Sequence, residues 1–477
     1  MDGADVAVTG ITASSDRVHR GDVFAALPGR AAHGASYAAD ALRRGAVAVL
    51  TDAPGRAYVP DGVPVLVVPD VRRVLGPVSA EVYARPSADL AMLGVTGTSG
   101  KTTTTFLMRA GLRAAGRVPG LIGTVATMIG NDEIKTGFTT PEAPDVQALL
   151  AVMRERGVTD VAMEVSSHAL TMGRVDGIRF DVGAFTNLSE DHLDFHADME
   201  DYFAAKMRFI SLLCVSTVVV VDDQWGKRAA AEVNATTIST LDEPARWQAH
   251  EIRSEPDGTT TFRAVGLGYD LPTACAIPGR YNVANALLAL AMLEDIGIDP
   301  AVAAAAIATA SVPGRMERVE AGQPFLAVVD YSHKPAAVDG ALRALRPLTR
   351  GRLIIVLGCG GDRDRGKRPH MGEMAARGAD VLVVTDDNPR SEDPAAIRDA
   401  MLAGALAVPA AERSEVLDVG GRAEAIGAAV AAAGPADTVL VAGKGHETGQ
   451  EIAGVVHPFD DRAVLRAAIQ AAAGGRS

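Results

Sequence analysis

A chain of 477 residues with 48% apolar composition is long enough for about three domains, each with its own core. Its net charge of −13 excludes nonspecific nucleic-acid or acidic-membrane binding, so an anionic substrate requires a local basic pocket. Three scattered cysteines (Cys214, Cys275, Cys359) are no disulfide framework, the N-terminus has no signal-peptide pattern, and no apolar run reaches the ~18 residues of a membrane span, the longest being 209–221. A soluble cytoplasmic protein is expected.

Residues 1–89 alternate short strand and helix patterns. Residues 22–27, 45–50 and 63–68 read as strands and 35–44 as a helix, and Pro60, Pro64 and Pro69 punctuate the end. No side chain here is of a catalytic type. Ser14, Ser15, Arg17 and the loop 29–34 are either ligand contacts or ordinary polar turns.

Residues 90–314 read as a nucleotide unit. A short apolar run (90–93) leads into Val95-Thr96-Gly97-Thr98-Ser99-Gly100-Lys101-Thr102, and a helix is predicted over 103–115. Strand, glycine-rich turn, Gly-Lys-Thr and helix is the order a phosphate-binding loop requires. The glycines admit phosphate close to the backbone, and the helix N-terminus offers N–H groups to it. Lys101 would reach the β/γ-phosphates and the Thr102 hydroxyl would ligate Mg²⁺. One departure stands out: the full pattern wants Gly where the chain has Val95.

Further on, 120–125 is strand-like, and 160–168 is an apolar strand running into polar residues. A carboxylate at such a strand end is the expected second Mg²⁺ partner, which makes Glu164 a metal candidate. Residues 180–187 form another strand with a polar tip. Asp191, His192, Asp194 and His196 follow, all metal-ligand types, and spacing alone does not decide which of them binds. Zinc is disfavoured, since no cysteine is near. A buried strand at 218–221, an antiparallel excursion near 259–262 and a helix from 279–285 to about 296 complete the unit.

Residues 315–477 are again α/β. Strands at 326–333, 352–357, 381–385 and 438–442 are expected, and the last three end in loops rich in charge: 358–368 with Arg363, Arg365, Lys367 and Arg368, 386–390 with Asp387, Asn388 and Arg390, and 443–447 with Lys444, His446 and Glu447. Three such strand ends on one edge suit a zwitterionic ligand with several carboxylates and amines.

At this point the chain resembles the Mur ligase family along its whole length. The shortened loop 96–102 is that family's own version, which accounts for Val95. Also matching are Thr139-Thr140-Pro141, Glu164-Val165-Ser166-Ser167-His168, Asp191-His192-Leu193-Asp194, Asn282-Val283-Ala284-Asn285, Pro313-Gly314-Arg315-Met316-Glu317 and Asp330-Tyr331-Ser332-His333. The resemblance implies an α/β fold of three domains: a small N-terminal α/β domain for the UDP-substrate (1–89), a central P-loop nucleotide-binding parallel sheet (90–314), and a C-terminal Rossmann-like domain for the amino acid (315–477).

It also implies roles. Gly97, Thr98, Ser99, Gly100, Lys101, Thr102 and Thr103 would hold ATP, with Asn282, Arg315 and Asp330 contacting the nucleotide. Thr102 would bind one Mg²⁺, and Glu164 and His192 a second. Lys206 matches a lysine that the family carbamylates, so that it becomes an anionic metal ligand. Lys101, Glu164, His192 and Lys206 would be the catalytic set. Ser15, Thr139, Thr140, Ser166 and Arg174 would hold a UDP-muramoyl dipeptide. Arg363, Asp387, Asn388, Arg390, Gly443 and Glu447 would bind the amino acid, and Asp387-Asn388-Pro389-Arg390 is the family's mark for meso-diaminopimelate rather than lysine. Arg390 offers a bidentate fork to the distal carboxylate that lysine lacks. The implied reaction is ATP-dependent ligation through an acyl phosphate in peptidoglycan precursor synthesis, with small-molecule partners only, no nucleic acid, no membrane insertion, and a monomeric chain. His333 is a candidate base for the attacking amine.

The first domain departs from the pattern. The family has Asp-Ser-Arg ahead of a Gly-Asp-Leu-Phe-like turn, whereas Ser14-Ser15-Asp16 precede Gly21-Asp22-Val23-Phe24 here, and the loop 30–33 also differs. The rival readings are the same ligation with L-lysine, a folylpolyglutamate-synthase-like ligase, and a noncatalytic nucleotide-switch scaffold.

Overall fold

The computed structural model describes residues 6–29, 32–134, 138–255 and 257–474, so Arg30, in the divergent N-terminal loop, lies outside the described residues. Two compact units divide the chain: Met1–Ala249, Ala264–Leu271 and Ala284–Ile307 in the first, and His250–Arg263, Pro272–Val283 and Ala308–Ser477 in the second.

The first unit opens with strands β1 (Gly10–Thr12) and β2 (Asp22–Ala25), helix α1 (Ala38–Arg44), strands β3 (Ala48–Thr51) and β4 (Val65–Val67), and helix α2 (Val71–Val82). The strands form a parallel sheet in sequential order. Strand alternation sends Phe24 and Val49 to one core, with Ala38 and Ala41 of α1, and Ala25 and Leu50 to another, with Val71 and Leu75 of α2. The second core also takes in Ala143, the first residue of the helix Ala143–Glu155.

The chain continues through β5 (Ala91–Thr96), α3 (Lys101–Ala114), β6 (Pro119–Ile122), β7 (Thr127–Ile129), β8 (Asp132–Ile134), α4 (Ala143–Glu155), β9 (Asp160–Glu164), α5 (Ser167–Thr171), β10 (Phe180–Phe185), α6 (Met199–Arg208), β11 (Cys214–Val220), α7 (Gln224–Glu232) and β12 (Thr236–Ser239). Their order across the sheet is β12-β11-β10-β5-β9-β6-β7-β8, parallel from β12 to β6 and antiparallel through β7 and β8. Strands covered on both faces read as unbroken apolar runs, and all of β9 is buried. The strand expected over 120–125 stops at Ile122, because the chain turns at Gly123, whose N–H donates to Ala126 O at 3.0 Å. The apolar run at 209–221 is one π-helical turn (Phe209–Leu213) and then β11.

Next come β13 (Trp247–Ser254), β14 (Thr260–Gly266), β15 (Tyr269–Cys275), α8 (Arg280–Asp295) and α9 (Pro300–Ile307). The second unit then contributes β16 (Glu317–Arg318), β17 (Leu326–Asp330), α10 (Pro335–Leu345), β18 (Leu353–Leu357), α11 (Lys367–Gly378), β19 (Val381–Val384), α12 (Pro394–Ala407), β20 (Glu415–Asp418), α13 (Arg422–Ala432), β21 (Thr438–Ala442), the hairpin β22 (Gly449–Ile452) and β23 (Val455–Pro458), and α14 (Asp461–Gly474). Its main sheet runs β16-β17-β21-β18-β19-β20, with β16 alone antiparallel. The carboxyl ends of β17, β21, β18 and β19 therefore lie side by side, so β17 adds a fourth strand end to the three expected there. Among the described residues, no helix is long and apolar enough to cross a membrane.

Candidate active site

The loop between β5 and α3 has the geometry of an anion cradle. Gly97 (φ +146°) and Gly100 (φ +93°) occupy conformations that L side chains rarely adopt. A Cβ on Gly97 would collide with the Thr186 hydroxyl, and one on Gly100 with the Asn285 amide oxygen. Lys101 folds back along the loop, its ammonium donating to Gly97 O at 2.8 Å and Thr98 O at 3.0 Å. Asn187 and Thr186, just past β10, brace the loop through Ser99: Ser99 N donates to Asn187 Oδ1 at 3.0 Å, and Thr186 Oγ1 donates to Ser99 O at 2.6 Å. Backbone N–H groups opening a long helix behind two such glycines fit a phosphate chain.

Glu164 closes β9, the strand beside β5, and pairs in register with Val95. Its carboxylate is 1% exposed and is held by one residue: Thr124 N donates to Oε1 at 2.8 Å and Thr124 Oγ1 to Oε2 at 3.1 Å. The same hydroxyl contacts Thr139 Oγ1 at 3.0 Å. Thr140 Oγ1 donates to Glu164 O at 2.9 Å and accepts from Ser166 N at 3.3 Å, and Ser166 Oγ caps α5 by accepting from Ala169 N at 3.2 Å. Arg174 donates to Thr140 O at 3.1 Å and to Glu142 at 3.0 Å, with its guanidinium over the Phe138 ring. Thr139, Thr140, Ser166 and Arg174 thus share one bonded patch with Glu164. Ser15 sits in a 3₁₀ turn, and its neighbour Arg17 pairs with Asp145 of α4 at 2.7 Å, which ties the small sheet to the central one.

His192 adopts a left-handed conformation (φ +54°), with Nε2 3.2 Å from Asp191. Its ring meets that of His168 edge-on at 4.7 Å and that of Tyr202 at 6.1 Å. Burial pulls the His168 imidazole below its ordinary value. Lys206 lies on α6, 1% exposed, with Nζ 4.5 Å from the Tyr202 ring centre. The Tyr202 hydroxyl is 3.2 Å from Thr98 Oγ1, so this one ring joins the lysine helix to the phosphate loop. Among the described residues, no three His, Cys, Asp or Glu side chains converge as a cage.

In the second unit, Asp330 ends β17 and accepts from Met316 N at 2.7 Å and Ser332 N at 2.9 Å, while the Arg315 guanidinium lies 4.4 Å from the Tyr331 ring centre. Asn282 Nδ2 donates to Pro278 O at 2.8 Å. His333 is pushed down to about 4 by burial, which makes it a weak base for an attacking ammonium.

The amino-acid candidates gather at the ends of β18, β19 and β21. Asn388 Nδ2 donates to Glu447 Oε2 at 2.9 Å. Lys444, fully buried, donates to Asn388 Oδ1 and to Glu447 Oε2, both at 2.9 Å. Gly443 (φ +114°) leaves only 2.6 Å between the position of a Cβ and Asp387 Oδ2. Arg390 (φ +53°) is propped by β22: its N–H donates to Glu451 O at 3.0 Å, and its carbonyl accepts from Ala453 N at 2.7 Å. Its Nη1 donates to Gly361 O at 2.7 Å, and its Nε lies 3.4 Å from the Glu451 carboxylate. Of the four basic groups on the 358–368 loop, Arg365 and Arg368 pair with Glu392 and Lys367 donates to His333 O at 2.9 Å, while Arg363 is exposed.

Reasoning from sequence missed Thr124, Glu142, Tyr202 and the buried Arg422–Asp461 pair behind Gly443, and it placed Lys444 on a charged strand-end loop without giving it a role. Lys444 alone had a local signal, a lysine inside a strand-end glycine pair. The three cysteines are free; burial pushes Cys275 up to about 11 and Cys359 up to about 12, and raises Cys214 as well.

Known proteins match this arrangement in order. Residues 7–83 match the Mur ligase family catalytic domain, 95–293 the Mur ligase middle domain, and 314–445 the Mur ligase glutamate ligase domain. Over 474 residues the chain is 56% identical to the UDP-N-acetylmuramoyl-L-alanyl-D-glutamate--2,6-diaminopimelate ligase of Streptomyces avermitilis, spanning 98% of this chain and 93% of that one. The enzyme of the same name from Corynebacterium efficiens is 51% identical over 468 residues, 96% of this chain and 89% of that one. A solved structure of a ligase of this name superposes with a TM-score of 0.70 at 32% identity, covering 97% of this chain and 95% of the other. With a three-domain α/β fold, a shortened phosphate loop and relatives alike from end to end, this chain belongs to the Mur ligase family.

Proposed function

We propose that the chain is the ATP-dependent ligase that joins meso-2,6-diaminopimelate to UDP-N-acetylmuramoyl-L-alanyl-D-glutamate. The observation that carries this reading is the strand-end cluster of Arg390, Asn388 and Glu447, which offers a guanidinium fork, an amide and a carboxylate to one amino acid. Its relatives' names point the same way. The D-glutamate γ-carboxylate attacks the ATP γ-phosphorus and expels ADP, leaving an acyl phosphate. The neutral amine of diaminopimelate then attacks the acyl carbon, phosphate departs, and the amine proton passes to solvent or a base other than His333.

Gly97, Thr98, Ser99, Gly100, Lys101, Thr102 and Thr103 cradle the phosphates, and Lys101 offsets charge as it builds on them. Asn282, Arg315 and Asp330 contact the nucleotide. Thr102, Glu164, His192 and Lys206, the last as a carbamate, would hold Mg²⁺, which when bound neutralises phosphate oxygens. Ser15, Thr139, Thr140, Ser166 and Arg174 take the UDP-dipeptide. Arg363, Asp387, Asn388, Arg390, Gly443 and Glu447 take diaminopimelate, and leaving the Arg390 fork unpaired penalises lysine. The domains divide at 1–89, 90–314 and 315–477, and the enzyme works as a cytoplasmic monomer on small molecules. Phosphate release is measured with the UDP-dipeptide plus diaminopimelate, lysine or folate. Release that needs diaminopimelate supports the reading. Equal release with lysine refutes the specificity, and release without any acceptor favours a nucleotide switch.

A further inference from the structure

A lysine ammonium with no solvent exposure is costly unless it is paired. Lys444 meets that requirement, among the described residues, with two side chains and no backbone group: Asn388 Oδ1 and Glu447 Oε2, each at 2.9 Å. An ammonium only donates, so it fixes which end of the Asn388 amide faces it. Glu451 N, donating to the same Oδ1 at 3.0 Å, enforces the same orientation, and the amide Nδ2 is then turned to Glu447 Oε2 at 2.9 Å. Glu447 Oε2 is saturated by these two donors, which leaves Oε1 as the oxygen for a ligand. A lysine that served only to pin the 443–447 loop would bond to backbone carbonyls. This one bonds to the two side chains that the ligase reading assigns to the amino acid.

We propose that Lys444 is a positioning residue of the amino-acid site. It locks the Asn388 amide and one oxygen of Glu447, so that Glu447 Oε1 meets the substrate's ammonium in a single orientation. Without Lys444 the amide oxygen keeps only the Glu451 N–H and Glu447 loses its ammonium partner, so the carboxylate is free to swing, and recognition of the amino acid weakens while nucleotide handling is untouched. This inference rests on the diaminopimelate-ligase reading above.

The test is steady-state phosphate release, with ATP and the UDP-dipeptide saturating and diaminopimelate varied, for wild type, Lys444→Gln, Lys444→Met, Glu447→Gln and the charge-balanced double variant Lys444→Met with Glu447→Gln. The expected result is a KM for diaminopimelate raised at least tenfold in each single variant, a KM for ATP changed less than twofold, and a double variant within threefold of Glu447→Gln alone. An unchanged KM for diaminopimelate, equal rises for ATP and diaminopimelate, or multiplicative effects in the double variant would overturn the proposal. Failure of both Lys444 variants to fold would assign the lysine to the scaffold and overturn it too. If wild type shows no diaminopimelate-dependent release, the ligase reading itself fails and takes the inference with it.

Discussion

Arg422 and Asp461 form an ion pair in which neither side chain has any exposure, bonded at 2.8 Å from Nε and 2.7 Å from Nη2. Nη2 also donates to Ala442 O at 2.9 Å, at the end of β21 just before Gly443. Burial alone would lower the Arg422 pKa, yet Asp461 outweighs it and the net shift is upward. Asp461→Asn keeps the shape and removes the charge, leaving the buried guanidinium with Asp387, 3.9 Å away, as its nearest carboxylate. Breaking one side of such a pair costs about 3–5 kcal/mol. For a unit of this size each kcal/mol moves the melting midpoint by about 2–4 °C, so the expected fall is roughly 6–20 °C. The protein's two tryptophans, Trp225 and Trp247, both lie in the first unit. Far-UV circular dichroism therefore follows both units during heating, while tryptophan fluorescence follows the first alone. The circular dichroism transition of Asp461→Asn should fall by the stated amount, and Arg422→Met with Asp461→Leu should recover part of the loss. A variant melting within about 2 °C of wild type, where at least 6 °C is expected, refutes the reasoning. So does a double variant that melts no higher than Asp461→Asn.

Arg390→Ala should raise the KM for diaminopimelate by about a hundredfold, since the fork's two charge-assisted bonds are lost, and leave ATP affinity within a few-fold, measured by nucleotide titration. Thr124→Val removes the hydroxyl bond to Glu164, and the Mg²⁺ concentration giving half-maximal rate should rise about 10–100-fold. His333 supplies a pH signature: the unfolded chain protonates it below about 6.5, whereas the folded chain keeps it neutral down to about 4. Stability is therefore lost as pH falls through that window, by up to about 3 kcal/mol at its acid end, and nothing is lost above it. Urea titrations of wild type and His333→Asn should converge above pH 7 and diverge toward pH 4, with wild type the more acid-sensitive.

What the sequence made legible follows the physics of parallel sheets. β9, β18, β19 and β21 are wholly buried, so they read as apolar runs bounded by polar strand ends, and those ends are where the candidate residues lie. The short antiparallel β7 and β8 escaped notice, because three residues carry no periodicity and β8 exposes Asp132 and Glu133. β20 and the β22–β23 hairpin escaped for the same reason. Side-chain pairing was harder still. Thr124 holds Glu164 from 40 residues away, and Lys444 reaches Asn388 across 56. Separations of that kind depend on strand order, which composition does not encode. Lys206 is singled out only by the family likeness, and its burial follows from the packing of α6 against α5 and the central core.

The three thiols give the protein an unusual practical property. Cys275 and Cys359 are buried and poorly ionised near neutral pH, and Cys214 is likewise held protonated. Because the thiolate is the species that alkylates, maleimides should react slowly with all three in the native state, and least slowly with the half-buried Cys214. A cysteine introduced at an exposed position such as Leu406, on α12, or Tyr58, in the N-terminal segment, would then be the first site to take a dye. With Cys214 replaced, the chain is thus a ready background for single-molecule distance measurements during turnover, and the two buried cysteines can stay.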